Sequence, residues 1–384
     1  MQVSSAAPRP RHVYRLGVSA SFLLQGLCFS TWASRIPLVQ QKLHLTEAAL
    51  GGVLLAVPVG LIVSLPLTGW LVAKYGSRNL TVIAVLLYSG ALPLLGLAQT
   101  TTQLIAALVL FGFGSNMANI SVNTQGVGVE ALYGKSILAT FHGVWSLAGF
   151  VGAALGTLTI GWGISTLQHF TIMAVVIWLG VGLMRPYLVP ADAPSPADQP
   201  LFVLPDKSLM LLGALAFCSL LAEGTMFDWS GVYFRKIVLA EKAWVGLGFA
   251  AFMSMMATGR FIADWFANRF GRARTLQLSG LLTTVGLSLA VAVPTLVVAS
   301  IGFMLVGLGV SSVVPLVYST AGRSRTMPAG VALAAVSTVG FAGFLLGPPL
   351  IGLVAGATSL RVSFAIIACM GLAVAALARR ATAD

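Results

Sequence analysis

Glu223 stands near the middle of a long apolar stretch, and Asp228 follows it five residues later. A carboxyl among apolar residues can carry a proton or hold a cation, and it is costly to keep there without a use or a partner. On a helix a step of five residues turns about 140°, so the two acids cannot share a face. Gln25 lies at a similar depth in the first apolar run. Asn116, Asn119 and Asn123 recur at i, i+3 and i+7, the spacing of one helix face. That stripe fits hydrogen bonds to a hydroxylated solute, and it fits equally well hydrogen bonds between packed helices. His142 and Trp145 form an i, i+3 pair. The imidazole suits proton relay and the indole suits stacking on a sugar ring, though both types also serve as plain packing. Arg260 and Asp264 have the i, i+4 spacing of an intrahelical ion pair. No nucleophile–base set, phosphate-binding loop or metal-ligand spacing accompanies them. The chemistry they suit is binding and proton exchange, not enzymatic turnover, and neither cofactor nor metal is expected.

Composition says what must position these residues. Of 384 residues, 58% are apolar and 8% are charged, and the mean hydropathy is +0.94. A soluble domain carries about 25% charged residues, so a soluble enzyme, a disordered chain and a small disulfide scaffold are excluded. Long apolar runs also argue against an outer-membrane barrel, whose strands alternate over short segments. The 22 basic and 10 acidic residues give a net charge of +12. The basic residues form short clusters between apolar blocks, which argues against a nucleic-acid partner. Cys28, Cys218 and Cys369 each lie in an apolar run and are expected to be small buried hydrophobes. A cleavable signal peptide is not expected, because the run after Arg15 is too long and no small-residue site closes it.

Residues 48–73, 79–129, 136–184 and 275–322 contain no Asp, Glu, Lys or Arg. One membrane span needs about 20 apolar residues, so each of the three longer runs holds two spans and a reversal. The whole chain then reads as twelve helices, among them spans at 48–74, 103–126 and 296–321. Lipid offers no water to the backbone, so every span must be helical. The Pro-rich stretch at 186–207 cannot span and divides six helices from six. The expected organisation is a tail at 1–13, a six-helix bundle at 14–185, a linker at 186–207 and a second bundle at 208–384. Twelve spans place both termini on one side. That side collects fifteen of the 22 basic residues, against six on the other, which predicts cytoplasmic termini. A shift of 195 positions lays Lys74-Tyr-Gly76 on Arg269-Phe-Gly271 and Gly112-x-Gly114 on Gly307-x-Gly309. A shift of 198 lays Gln25 on Glu223 and Phe29 on Phe227.

With twelve spans, a central linker and an internal repeat, Gly69-Trp-Leu-Val-Ala73-Lys74-Tyr75-Gly76-Ser77-Arg78 resembles the signature of the major facilitator superfamily, G-x-x-x-D-[RK]-x-G-[RK]-[RK]. Ala73 replaces the acid and Ser77 one basic residue. The second-half counterpart runs from Asp264 through Asn268-Arg269-Phe270-Gly271-Arg272. Trp32-Ala-Ser-Arg35-Ile-Pro37 and Phe141-His142-Gly-Val-Trp145-Ser146 are similar to a bacterial sugar-facilitator group around fucose permease. The resemblance implies an all-α membrane protein of two pseudo-symmetric six-helix bundles that rock about a mid-membrane site, with spans 1, 4, 7 and 10 lining the cavity. Repeat architecture makes the same demand on physical grounds. Sugar/proton symporters of that group use acids on spans 1 and 4, where this chain has Gln25 and the Asn series.

The expectation is therefore a monomeric secondary transporter in the bacterial inner membrane, moving a small polar, neutral solute such as a sugar, polyol or nucleoside by proton-coupled uptake. Proton-driven export of an amphipathic compound, passive facilitation and a non-transporting receptor are the alternatives. Gln25, Asn116, Asn119, Trp145 and Glu223 are the expected solute ligands. Glu223, Asp228 and His142 are the expected proton carriers. Gates are expected from an Arg35–Asp228 pair on one side. On the other they are expected from Glu130 with Lys74 or Arg78, together with Arg260, Asp264 and Arg269.

Overall fold

Each charge-free run folds into helix, since only a helix satisfies its own backbone in lipid. The computed structural model describes residues 10–134, 137–190, 207–324, 327 and 329–381. Twelve helices among these are long and apolar enough to cross a membrane. Span 1 comprises α1 (Arg11–Ala33) and α2 (Ile36–Lys42), and span 2 comprises α3 (Glu47–Leu54) and α4 (Ala56–Tyr75). Spans 3 to 6 are α5 (Ser77–Leu97), α6 (Thr101–Tyr133), α7 (Leu138–Gly161) and α8 (Thr166–Met184). The second set is α9 (Lys207–Lys236), α10 (Leu247–Phe270), α11 (Arg272–Ala292), the pair α12 (Leu296–Val310) and α13 (Val313–Ala321), α14 (Ala329–Ala357) and α15 (Leu360–Ala381). Most of the expected linker (191–206), the first nine residues, Lys135 and Arg325 lie outside the described residues.

Two spans expected as continuous, 48–74 and 296–321, are broken, and span 1 is extended by a separate short helix; each break has a proline behind it. Pro37, Pro58 and Pro315 lack the amide that would bond four residues back, and their rings crowd that carbonyl. The preceding helices end at Ala33, Leu54 and Val310, at or one residue before the carbonyl each proline leaves unbonded. Span 4 runs further than expected, to Tyr133, where Gly134 adopts the left-handed φ of 65° that ends a helix.

The repeat is visible in contacts. Gly76 and Gly271, 195 residues apart, have nearly the same backbone (φ 77°, ψ 150° and φ 84°, ψ 154°). Gly112 lies against the Val57 carbonyl and Gly307 against that of Phe252, while Gly114 meets Tyr88 and Gly309 meets Thr283. Both partner pairs repeat at the same 195-residue shift. Spans 1 and 7 form the centre, 72% and 78% buried over their apolar windows, against 39% for spans 2 and 6. Cys28 and Cys218 are buried, but Cys369 is exposed on α15, contrary to expectation. On an outer helix of the bundle, one face has no protein neighbour.

Candidate functional site

Glu223 on α9 is buried, and its Oε1 accepts from Arg260 Nη2 on α10 at 3.2 Å. The other arm of the guanidinium crosses between the bundles, where Nη1 donates to Ser146 Oγ on α7 at 2.6 Å. Ser146 donates in turn to the His142 carbonyl at 3.0 Å, which holds the hydroxyl toward the arginine. The Arg260 guanidinium carbon also lies 5.8 Å from the centre of the Trp145 ring. One cation thus ties a carboxylate of the second bundle to a hydroxyl and an indole of the first. The described partners of Arg260 lie on α7 and α9, and the expected intrahelical pair with Asp264 falls outside the described side chains. The buried Glu223 carboxylate holds the arginine because neither charge has water to fall back on.

One turn along α9, Phe227 packs among aromatic rings of both bundles. Its centroid is 4.9 Å from Phe29 and 6.1 Å from Trp145 in the first half, and 5.7 Å from Phe252 and 6.0 Å from Phe344 in the second. Gln25 stands one turn before Phe29, as Glu223 stands one turn before Phe227. Gln25 is buried, and its Nε2 has no hydrogen-bond partner among the described residues. Such a donor is costly unless something else accepts from it. Asp228 interrupts an otherwise buried stretch of α9 and is half-buried, with no hydrogen bond or ion pair among the described residues. His142 is set edge-on to Phe22, 5.1 Å between centroids, within the first bundle.

The asparagine stripe divides. Asn116 donates to Ser64 Oγ on α4 at 2.7 Å and so joins two helices of one bundle. Asn119 is exposed and accepts from Asn123 Nδ2 at 2.8 Å. No described contact links either to the Glu223–Arg260 group.

Both expected gates are wired differently. Arg35 does not reach Asp228. It is buried and donates to His169 Nδ1 (3.1 Å), the Ile164 carbonyl (3.0 Å) and Thr159 Oγ1 (2.9 Å), all in its own bundle. Glu130 accepts from the amides of Ile137 (2.6 Å) and Leu138 (2.9 Å) at the start of α7, where helix-end donors attract a carboxylate. Lys74 instead sits over the Trp70 ring at 4.6 Å, and Arg78 donates to the Arg185 carbonyl at 3.4 Å. Arg269 is exposed at the end of α10.

The sequence reading missed the contacts that close the face opposite the termini. Arg235 donates to the Pro37 carbonyl and to Gln40 Oε1, and Lys236 pairs with Glu47. Gly51 and Gly352 allow α3 and α14 to touch: a Cβ on Gly352 would lie 2.6 Å from the Glu47 carbonyl oxygen. The one available signal was the Arg235-Lys236 doublet on the sparsely charged side. Apart from the α7–α10 seam and the ring contacts of Phe227, the described hydrogen bonds and ion pairs that join the bundles lie on this face.

Residues 18–325 and 239–383 match the profile of the Major Facilitator Superfamily. An uncharacterised MFS-type transporter of Yersinia pestis is 35% identical over 382 residues, covering 99% of each chain. Among solved structures, a mutant of the nucleoside transporter NupG superposes with a TM-score of 0.76 at 15% identity, covering 96% of this chain and 99% of the other. A D-xylose–proton symporter superposes at 0.72 and 14% identity, covering 96% and 97%. The chain belongs to the major facilitator superfamily. It is a polytopic membrane transporter, not an enzyme, and moves a small-molecule solute.

Proposed function

We propose that the chain takes up a small neutral, hydroxyl-rich solute across a bacterial inner membrane, coupled to a proton carried on Glu223. On this reading both termini are cytoplasmic, and the segment around 186–207 links two bundles within a monomer. The observation that carries the proposal is the Glu223–Arg260–Ser146 bridge between the bundles. With Glu223 ionised, the pair is neutral and the arginine holds α7, α9 and α10 together. When Glu223 takes a proton, Arg260 loses its counter-charge, and a buried guanidinium without one is strongly unfavourable. The protonation state of one carboxyl therefore sets the strength of a contact that rocking of the bundles must alter.

Gln25, with its unpartnered amide, and Asp228 supply hydrogen-bonding groups on the two central helices, and Trp145 supplies a ring face for a sugar. The Glu223 and Arg260 charges cancel each other, which favours a neutral solute. Binding resolves the class: uridine, D-xylose and myo-inositol are titrated against the purified protein, with thermal unfolding as readout. A rise in Tm with one of them supports the reading, because a ligand of the native state stabilises it. Stabilisation by a hydrophobic cation such as ethidium alone overturns it in favour of export of amphipathic compounds. In proteoliposomes, Glu223→Gln abolishes accumulation of the stabilising solute while solute–solute exchange persists. Accumulation by the variant at the parent rate removes Glu223 from coupling.

A further inference from the structure

A groove of about 550 Å³ runs along the seam of α11 and α15, far from the central site. Arg274, Gln277, Leu278 and Leu281 follow one another at i, i+3, i+4 and i+7 on α11. Leu372, Ala375, Ala376 and Arg379 do the same on α15. The two helices run in opposite directions, so the stripes meet with both arginines at the end nearest the termini and the leucines deeper in the membrane. The bed is fixed by close backbone approach: a Cβ on Gly371 would lie 2.8 Å from the Gly280 carbonyl oxygen, and Thr284 donates to the Ala368 carbonyl at 3.1 Å. Leu278, Leu281 and Leu372 are 44%, 46% and 53% exposed. Arg274 and Arg379 are exposed, and no acidic group pairs with either among the described residues.

We propose that this groove holds one anionic phospholipid, its phosphodiester between Arg274 and Arg379 and an acyl chain along the leucine bed. Two arginines converging at headgroup depth complement a negative phosphate, and below them and Gln277 the floor of Leu278, Leu281, Leu372 and alanines is apolar. A zwitterionic lipid fills the same bed but brings a cationic group to the arginine fork. A basic residue near the headgroup plane favours an anion by about five-fold, so the fork is worth roughly 25-fold in lipid selectivity.

The full-length protein, purified in a neutral detergent, is titrated with dioleoyl-phosphatidylglycerol, with dioleoyl-phosphatidylcholine and with sn-glycerol 3-phosphate. Thermal unfolding and native mass spectrometry of bound lipid are the readouts. Phosphatidylglycerol is expected to be retained at least ten-fold more tightly than phosphatidylcholine, and glycerol phosphate to have no effect. Arg274→Gln/Arg379→Gln is expected to erase the selectivity. Arg11→Gln/Arg15→Gln, which removes the same charge from the same end of the molecule, preserves it. Leu281→Trp, which fills the bed and keeps the charge, lowers retention of both lipids, so the proposal stays testable if the arginine pair fails to fold. Equal retention of the two lipids by the parent, equal loss in the two arginine variants, or a glycerol phosphate effect matching that of the lipid would each overturn it.

Discussion

Arg260 carries the most consequential set of contacts, and substitution separates its charge from its packing. Arg260→Gln strands the buried Glu223 carboxylate and is expected to cost about 3–5 kcal/mol of stability. Adding Glu223→Gln removes the stranded charge, so the double variant should unfold above Arg260→Gln in a thermal melt while remaining unable to accumulate solute. A double variant no more stable than the single one would mean that the two side chains do not act as a pair. Glu223 is legible in the sequence as an acid within an apolar run, and so is its match to Gln25 at a shift of 198. The partner is not. Arg260 has Asp264 four residues away, which supplies a local explanation, whereas Glu223 is 37 residues distant on another helix. Arg35 misled for the opposite reason. It has no acid within a helical turn, so depth alone pointed to Asp228, while the true acceptors are an imidazole, a hydroxyl and a carbonyl that carry no charge signal.

Helices and their breaks were legible to different degrees. Charge-free runs mark the spans because the cost of a charge in lipid is large. The repeat shows in the basic loops and in Gly76 and Gly271, whose positive φ only glycine adopts without strain. Gly271→Ala is therefore expected to lower stability by about 1–2 kcal/mol, measured as a fall in Tm; an unchanged Tm would show that the turn relaxes. The breaks at Ala33, Leu54 and Val310 follow from prolines plainly visible in the sequence. A proline inside a span is ambiguous, however: Pro66, Pro93 and Pro348-Pro349 sit within helices that continue through them. Neighbouring helices decide which prolines interrupt, and a single sequence does not contain that packing.

At the scale of the whole molecule, closure on the face opposite the termini is open to covalent test. A Cβ on Gly356 would lie 3.1 Å from the Ala48 Cβ, close to the separation a disulfide needs. Ala48→Cys/Gly356→Cys should therefore oxidise readily, stop transport, and recover on reduction. Full transport by the oxidised protein would show that the bundles do not part on that face. Orientation has its own check. A fluorescent protein fused after Asp384 should fluoresce, and alkaline phosphatase fused there should be inactive. The reverse pattern would place the termini outside.

The joint at Leu55 changes how such rocking is carried. Above it, α3 is welded to α14 through Gly51 and Gly352, and below it α4 is bound to α6 through Ser64 and Asn116. Span 2 thus touches both bundles, its upper segment the second and its lower segment the first. When the face opposite the termini opens, the α3–α14 contact is the one that must part, and the interruption at Leu55 leaves α3 to swing without dragging α4 from its own bundle.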